Sequence, residues 1–167
     1  MVFLFTLVIM VAACSKEATY LYEVPLEAEF VIPSGLNTIE THYFIIKDVP
    51  TYFTQFANDR GVDTSSITNI QSARGLLRGT FQNNDYSFIS RIAINIVSHK
   101  NPNRIKEMFY MDFVPLNTNE ELRMLSSTTE LRNILNEEFV DVQVAINVRD
   151  FTTTNIPTRL RFSYVVF

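Results

Sequence analysis

The sequence predicts a mainly β protein, folded as a two-layer antiparallel β-sandwich with one or two short helices. Two observations support this fold class. Apolar residues recur at every second position over several long segments, which is the period of a strand with one buried face. The other candidate segments are rich in β-branched and aromatic residues, which favour strands. Because each one-sided strand must cover its apolar face, about seven of them are expected to stack in two layers.

The predicted strands follow one another along the chain. They span residues 26–32, 42–47, 75–81, 88–97, 108–114, 140–148 and 159–167. The clearest is the sixth, where valine or isoleucine occupies every second position and polar side chains occupy most positions between. The fifth is apolar on both faces apart from Asp112, which predicts a central strand. An immunoglobulin-like sandwich is the expected arrangement.

Two short helices are expected between the strands. Pro50 suits a first helical turn, and Gly61 suits the left-handed position that follows a helix end. Ser127 and Glu130 have the spacing of a capping box at the start of the second helix. The side chains that these helices would bury are Phe53, Phe56, Ala57, Leu131, Ile134 and Leu135.

The length and composition indicate one folded domain. The chain has 167 residues, 47% hydrophobic and 19% charged, which is enough apolar surface for a sizeable core. We assign this domain to residues 26–167. The formal net charge is -4 and the isoelectric point is about 5.2, so no excess positive charge attracts polyphosphate. We therefore expect no nucleic-acid partner.

The first thirteen residues are uncharged and contain one polar side chain, Thr6. A membrane-spanning helix needs about 20 apolar residues, whereas the apolar core of a signal peptide has about 7–15. The run ends in Val11, Ala12, Ala13 and Cys14, which is the single cysteine of the chain. No Lys or Arg precedes Cys14, so either the leader lacks the usual basic segment or translation starts upstream.

This ending resembles the lipobox of bacterial lipoproteins. The resemblance implies that residues 1–13 are a cleaved signal peptide, that Cys14 carries acyl chains such as palmitate, and that residues 14–25 are a lipidated tether. Two or more acyl chains anchor a protein stably to a bilayer. Ser15 resembles the residue that follows the cysteine in lipoproteins sent to an outer membrane, which implies a periplasmic or surface location in the cell envelope. The alternative is a buried apolar N-terminal element with Cys14 in the core.

Charged residues are distributed unevenly along the chain. Residues 71–110 contain six basic and two acidic side chains, and residues 117–141 contain six acidic and two basic ones. Such segments are typical of solvated faces that can lie against each other. A docking surface for a protein partner is the alternative interpretation. Its candidate residues are Arg74, Arg78, Arg91, Arg159 and Arg161.

The sequence predicts no catalytic, cofactor or metal site. A structural zinc site needs about four ligands, and the chain offers His42, His99 and one cysteine. Its four glycines form neither a phosphate-binding loop nor the Gly-x-Ser-x-Gly nucleophile elbow. The adjacent carboxylates at 120–121 and 137–138 diverge on a helix or strand, which does not suit glycoside hydrolysis. We therefore expect no enzyme activity.

The expected function is that of a membrane-anchored envelope lipoprotein acting as a non-enzymatic interaction or structural module, such as an accessory subunit of an outer-membrane complex. The order of elements resembles uncharacterised β-sandwich lipoproteins of Bacteroidetes, which implies a fold and a compartment but no activity. The alternative is a module that binds a glycan or a lipid through exposed aromatic side chains or the space between the layers. An enzyme with a site assembled from distant residues is the third hypothesis.

Overall fold

The computed structural model describes residues 19–81 and 85–167 and confirms a mainly β fold with two short helices. The eight strands of the described residues are β1 (Tyr22–Ile32), β2 (His42–Pro50), β3 (Ile70–Gly79), β4 (Ile89–Ser98), β5 (Ile105–Met111), β6 (Glu121–Ser126), β7 (Phe139–Val148) and β8 (Ile156–Val166). The helices are α1 (Phe53–Asp59) and α2 (Arg132–Leu135). All the strand pairs are antiparallel.

The strands form one nearly closed sheet in the order β1-β8-β3-β6-β5-β4-β7-β2. A short ladder, with Phe109 opposite Ser126, joins β5 to β6 and so connects the two halves of the sheet. The edge strands β1 and β2 approach each other without pairing, and the rings of Phe30 and Phe44 lie 5.5 Å apart between them. An immunoglobulin-like sandwich has two separate sheets, so the observed connectivity differs from the predicted one.

Side chains from both halves of the sheet form one core. The alternation predicted for residues 140–148 is confirmed, because every second side chain from Val140 to Val148 is buried. Gly75 of β3 makes room for a large side chain at the centre. A Cβ atom at Gly75 would lie 2.7 Å from the ring of Phe109, which packs edge-on against Phe162 of β8. A side chain at position 75 would therefore displace the ring.

Several boundaries differ from the prediction. β6 was not predicted, and residues 22–25, assigned to the tether, form the start of β1 with Tyr22 and Val24 buried. Pro50 ends β2 instead of starting a helix. Ser127 accepts a hydrogen bond from the N–H of Thr129, so the capping box does not form and α2 is a single turn. The predicted signal peptide and Cys14 lie outside the described residues.

The antiparallel order places the connections at two ends of the molecule. The loop end consists of the connections 33–41, 80–88, 112–120 and 149–155. The helix end consists of 51–69, 99–104 and 127–138, which include α1 and α2. β1 begins at the helix end, because its first residue pairs with the last residue of β8. Neither described helix is long and apolar enough to cross a membrane.

Candidate functional site

The loop end is a connected cap rather than four independent loops. The backbone N–H of Gly35 donates to the carbonyl of Thr152 at 2.7 Å, and the N–H of Leu36 donates to the Thr152 hydroxyl at 2.9 Å. The N–H of Tyr86 donates to the carbonyl of Thr118 at 3.1 Å. The connections 33–41 and 149–155 are therefore tied together, and so are 80–88 and 112–120.

Arg149 links these two pairs of loops. Its guanidinium donates to the backbone carbonyls of Ile89 and Val114, and its own N–H donates to the carbonyl of Phe88 at 2.8 Å. The side chain and the backbone of Arg149 together thus join its own connection to 80–88 and 112–120. Because backbone groups taken from water need partners, these bonds fix the loops relative to the sheet.

Tyr86 anchors the same cap from inside. Its side chain is fully buried, and its hydroxyl lies 3.2 Å from the hydroxyl of Thr158 in β8. Burial disfavours the charged phenolate and raises the pKa of Tyr86 to about 12, although the hydrogen bond with Thr158 works in the opposite direction. The phenol therefore stays neutral throughout the physiological range.

Each of the four loops exposes at least one large apolar side chain. Their exposed fractions lie between 67% and 90%, whereas their neighbours Leu36, Tyr86 and Val114 are buried. The exposed residues are Ile39, Phe81, Phe113, Leu116 and Phe151. Single exposed apolar residues are common on proteins, but their occurrence in all four connections makes this end a candidate interaction site.

The loop end also carries an excess of negative charge. Its four connections contain five carboxylates and one basic residue, Arg149, which is used in the hydrogen bonds to the backbone. The carboxylates belong to Glu40, Asp85, Asp112, Glu120 and Asp150. The surface is therefore apolar at its tips and acidic around them.

Comparison of the chain with protein-family models and with curated proteins gives no match.

Four of the five predicted docking arginines lie together on the outer face of the half-sheet β1-β8-β3-β6. Arg91 lies on β4 in the other half and pairs with Asp112 at 3.0 Å. The other four are Arg74 and Arg78 on β3 and Arg159 and Arg161 on β8. The structure thus brings four of the candidates together and separates one.

This arginine face is paired with glutamates. Arg159 contacts Glu29 at 2.6 Å and Glu27 at 3.2 Å, and Arg161 contacts Glu27 at 2.9 Å. The hydrogen bond with Glu29, followed by the charge of Glu27, raises the pKa of the Arg159 guanidinium. Arg74 lies 2.8 Å from Glu23 in the same way.

Pairing with glutamates changes the interpretation of this face. Arg78 has a looser partner, Glu121 of β6 at 3.7 Å. The glutamates of β1 were not among the predicted residues, although Glu27 and Glu29 show the two-residue period of one strand face. Their proximity to the arginines depends on the pairing of β1 with β8. An arginine that is already paired has less charge to offer a partner, so the loop end is the stronger candidate site.

A groove runs beside Tyr52, where β2 ends. Its volume is about 580 Å³, and Pro25, Pro50 and Leu76 line it together with the ion pairs of Arg74 and Arg161. Tyr52 is 44% exposed and has a left-handed backbone conformation with a φ angle of 56°. Such a conformation is costly for a residue with a side chain. The exposed ring and charged rim suit a polar ligand with flat apolar faces.

Sequence reasoning missed the loop end. The sequence feature that points to this site is the presence of single large apolar residues in otherwise polar connections. Examples are Phe113 after Asp112 and Phe151 after Asp150. Local sequence does not show which of these residues are exposed. Val114 and Leu116 lie in the same connection, yet the first is buried and the second is 74% exposed.

Proposed function

We propose that this protein is a non-enzymatic, membrane-tethered interaction module whose loop end binds a protein partner. The partner's surface would offer apolar pockets surrounded by basic residues. One observation carries this proposal: all four connections at one end expose large apolar side chains, while β1 begins at the other end. The two halves of the sheet would act as the layers of an immunoglobulin-like sandwich, in which loops at one end carry the binding site.

The proposed anchor determines which way the loop end faces. Eight residue steps separate Cys14 from Tyr22, and a fully extended chain of that length reaches at most about 29 Å. β1 has 11 residues, so it places the loop end about 34 Å from its own start. The tether would keep the helix end within about 29 Å of the bilayer, which favours an orientation in which the loop end faces away from the membrane.

Charge favours a protein over a lipid surface as the partner. Anionic headgroups would repel the four loop-end carboxylates other than Asp112, which is paired with Arg91, whereas a basic protein surface would attract them. The apolar tips would supply the anchors that fill pockets on the partner. An acidic rim would mainly speed association and exclude wrong partners.

Site-specific photo-crosslinking in intact cells tests the proposal. A photoreactive phenylalanine analogue replaces Phe113 or Ile39 at the loop end, and Tyr43 serves as the exposed control on β2. We expect the same discrete protein adduct from both loop positions and none from position 43. Introducing Leu116→Ser should remove most of the adduct without changing the amount of folded protein.

Three results would overturn the proposal. Equal adducts from position 43, adducts with lipid alone, or no adduct from either loop position would each contradict a protein-binding loop end. A partner with an acidic contact surface would contradict the charge argument. In that case raising the salt concentration would strengthen binding measured with purified components, whereas we expect it to weaken binding.

The lipid anchor has its own test. Intact-mass measurement of the protein from the membrane fraction should give a chain that starts at Cys14 and carries the mass of its acyl chains. Cys14→Ser should leave the protein without acyl chains and with its signal peptide uncleaved, since the sulfur of Cys14 is the proposed attachment atom. An unmodified cysteine in the mature protein would contradict the anchor without affecting the loop-end proposal.

The groove beside Tyr52 supports a second candidate function, the binding of a glycan. Exposed aromatic rings with charged neighbours bind sugars through apolar ring faces and hydrogen bonds. Tyrosine fluorescence is a clean probe, because the chain has no tryptophan. Titration with neutral hexose oligosaccharides should give a saturable change that Tyr52→Ala abolishes and Tyr43→Ala does not. Absence of a saturable change would exclude this class of ligand.

A further inference from the structure

We propose that Asp48, His99 and Asp141 form a surface site for a divalent transition ion of the zinc type. The three side chains come from adjacent positions across the sheet. Asp48 belongs to β2, Asp141 belongs to β7, and His99 directly follows β4. β7 lies between the other two strands, so the three groups meet on one outer face. The site lies toward the helix end and is independent of the proposed loop-end function.

The distances between the donor atoms fit a metal site. The Nδ1 atom of His99 lies 3.4 Å from Oδ1 of Asp48 and 3.8 Å from Oδ1 of Asp141, and one donor atom from each group lies within 4.8 Å of the others. Two ligands bound tetrahedrally at about 2.1 Å from zinc are about 3.4 Å apart. Well-formed hydrogen bonds are shorter, at about 2.7–3.2 Å.

A β-bulge brings Asp48 to this face. Ile46 pairs with Val142 and Val49 pairs with Val140, so two residues of β2 lie opposite Asp141 alone. In a regular strand, position 48 would point inward like position 46. The extra residue turns Asp48 outward, with a left-handed φ angle of 57°. Re-aiming a side chain is a recurrent role of such bulges.

The surroundings hold the ligands but leave room for further coordination. The backbone N–H of Asp48 donates to Oδ1 of Asp141 at 3.1 Å, which orients that carboxylate. In the described part of the chain, His99 is the sole basic side chain at ion-pair distance from either aspartate. The His99 side chain is 54% exposed, so water or a ligand atom can complete the coordination.

The donor set selects the class of ion. Imidazole nitrogen suits zinc and its neighbours in the first transition row, whereas calcium and magnesium prefer sites made of oxygen alone. Two carboxylates and one neutral imidazole carry two negative charges, which a divalent cation neutralises. Binding would connect β4, β7 and the edge strand β2, and would stabilise the folded state because the unfolded chain has no assembled site.

Calorimetric titration of the full chain with zinc chloride tests the site, using protein in mild detergent with any affinity tag removed. We expect one zinc ion per chain and a rise in melting temperature that a chelator reverses. His99→Gln should weaken binding at least tenfold, and His42→Gln, the control at the other histidine, should change it less than twofold. Calcium should bind much more weakly than zinc.

Asp48→Gly separates loss of the site from loss of the fold. Glycine adopts the left-handed conformation without strain, so this variant should fold at least as well and still lose zinc binding at least tenfold. Zinc affinity that survives either His99→Gln or Asp48→Gly would overturn the assignment. So would a preference for calcium, or the absence of heat and of a melting shift with zinc.

Discussion

The loop end and the helix end connect the same strands, yet most large apolar side chains in the helix-end connections are buried or partly buried, whereas most of those in the loop-end connections are exposed. At the helix end, both helices pack apolar side chains into the core. These side chains are Phe53 and Ala57 of α1 and Ile134 and Leu135 of α2. At the loop end, the large apolar residues at the tips point into solvent, and only their neighbours are buried. The charges differ too, because the helix end has five acidic and four basic residues in its connections.

Both ends are nevertheless well tied down. At the helix end, the hydroxyl of Tyr164 donates a hydrogen bond to the carbonyl of Thr51. At the loop end, the buried hydroxyl of Tyr86 bonds to the hydroxyl of Thr158. The buried carboxylate of Glu137 accepts hydrogen bonds from the Ser98 hydroxyl at 2.6 Å and from the N–H of Lys100 at 3.2 Å. The loop-end connections are likewise bonded to one another through the N–H groups of Gly35, Leu36 and Tyr86, and they still expose large apolar side chains. The helix end covers the core with buried apolar side chains, and the loop end exposes large apolar side chains to solvent.

The largest difference is expected for apolar truncations. Ile134→Ala at the helix end removes a fully buried side chain and should lower the free energy of unfolding by about 2–5 kcal/mol. Phe113→Ala at the loop end removes a side chain that is 90% exposed and should change it by less than about 0.5 kcal/mol. Urea denaturation measures both. Similar losses for the two variants would show that the tip of Phe113 packs onto the domain.

A smaller effect is expected from the arginine that ties the loops together. Arg149→Ala leaves the carbonyls of Ile89 and Val114 without their charged donor, which should cost about 2–3 kcal/mol of stability. Arg91→Ala is the matched control, since its ion pair with Asp112 is exposed and contributes about 0–1 kcal/mol. Chemical denaturation and hydrogen exchange at the loop end distinguish the two. Equal effects would mean that Arg149 does not join the loops.

The pH dependence tests the anchoring tyrosine of the loop end. Tyrosine in the unfolded chain has a pKa near 10, whereas burial raises the pKa of Tyr86 to about 12. Between these values the unfolded state loses the proton first. The contribution of Tyr86 to stability is therefore fully present below pH 10 and is lost as the pH rises toward 12. Tyr86→Phe should make this fall in stability less steep, leaving the contributions of Tyr22 and Tyr164, whose pKa values burial also raises. An unchanged slope would contradict the buried phenol.

The smallest effect is expected on the arginine face. Glu27→Gln weakens exposed ion pairs with Arg159 and Arg161, and should reduce stability by less than about 1 kcal/mol. It should leave crosslinking through Phe113 unchanged, because the proposed partner contacts the loop end. A strong loss of adduct with Glu27→Gln would return the docking role to the paired arginines.

The strands follow from local patterns. Alternation in residues 140–148 predicts one buried face, and this is confirmed for β7. In residues 159–167 it is confirmed only as far as Phe162, because Ser163 and Val165 on the second face of β8 are buried as well. β6 escaped prediction because its six residues include Glu121 and Arg123, whose charges resemble a solvated turn. Its apolar pair, Leu122 and Met124, is buried against β3, and that partner lies about 45 residues away along the chain.

The proposed metal site and the arginine face could be seen only in the tertiary structure, for different reasons. The sequence predicted no metal site because it offers only two histidines and one cysteine. Asp48 and Asp141 gave no local signal, because they lie 93 residues apart. A one-residue bulge, which no period in the sequence reveals, turns Asp48 to the face of Asp141. The arginines and glutamates were visible as charges, but only the pairing of β1 with β8 and of β3 with β6 brings them together.

Residue periodicity therefore determined that this chain is mainly β and which side chains are buried in a one-sided strand such as β7, because burial of a strand face is a local requirement. It did not predict that β8 is buried on both faces from Phe162 to Val166. The order of the strands, the closure of the sheet and the gathering of the apolar tips at one end were decided by contacts between distant segments. Those contacts depend on register and on shape, as where the ring of Phe109 fills the space above Gly75. This fit between side chains of different strands forms only when the strands pack against each other, so the sequence of one strand does not reveal it.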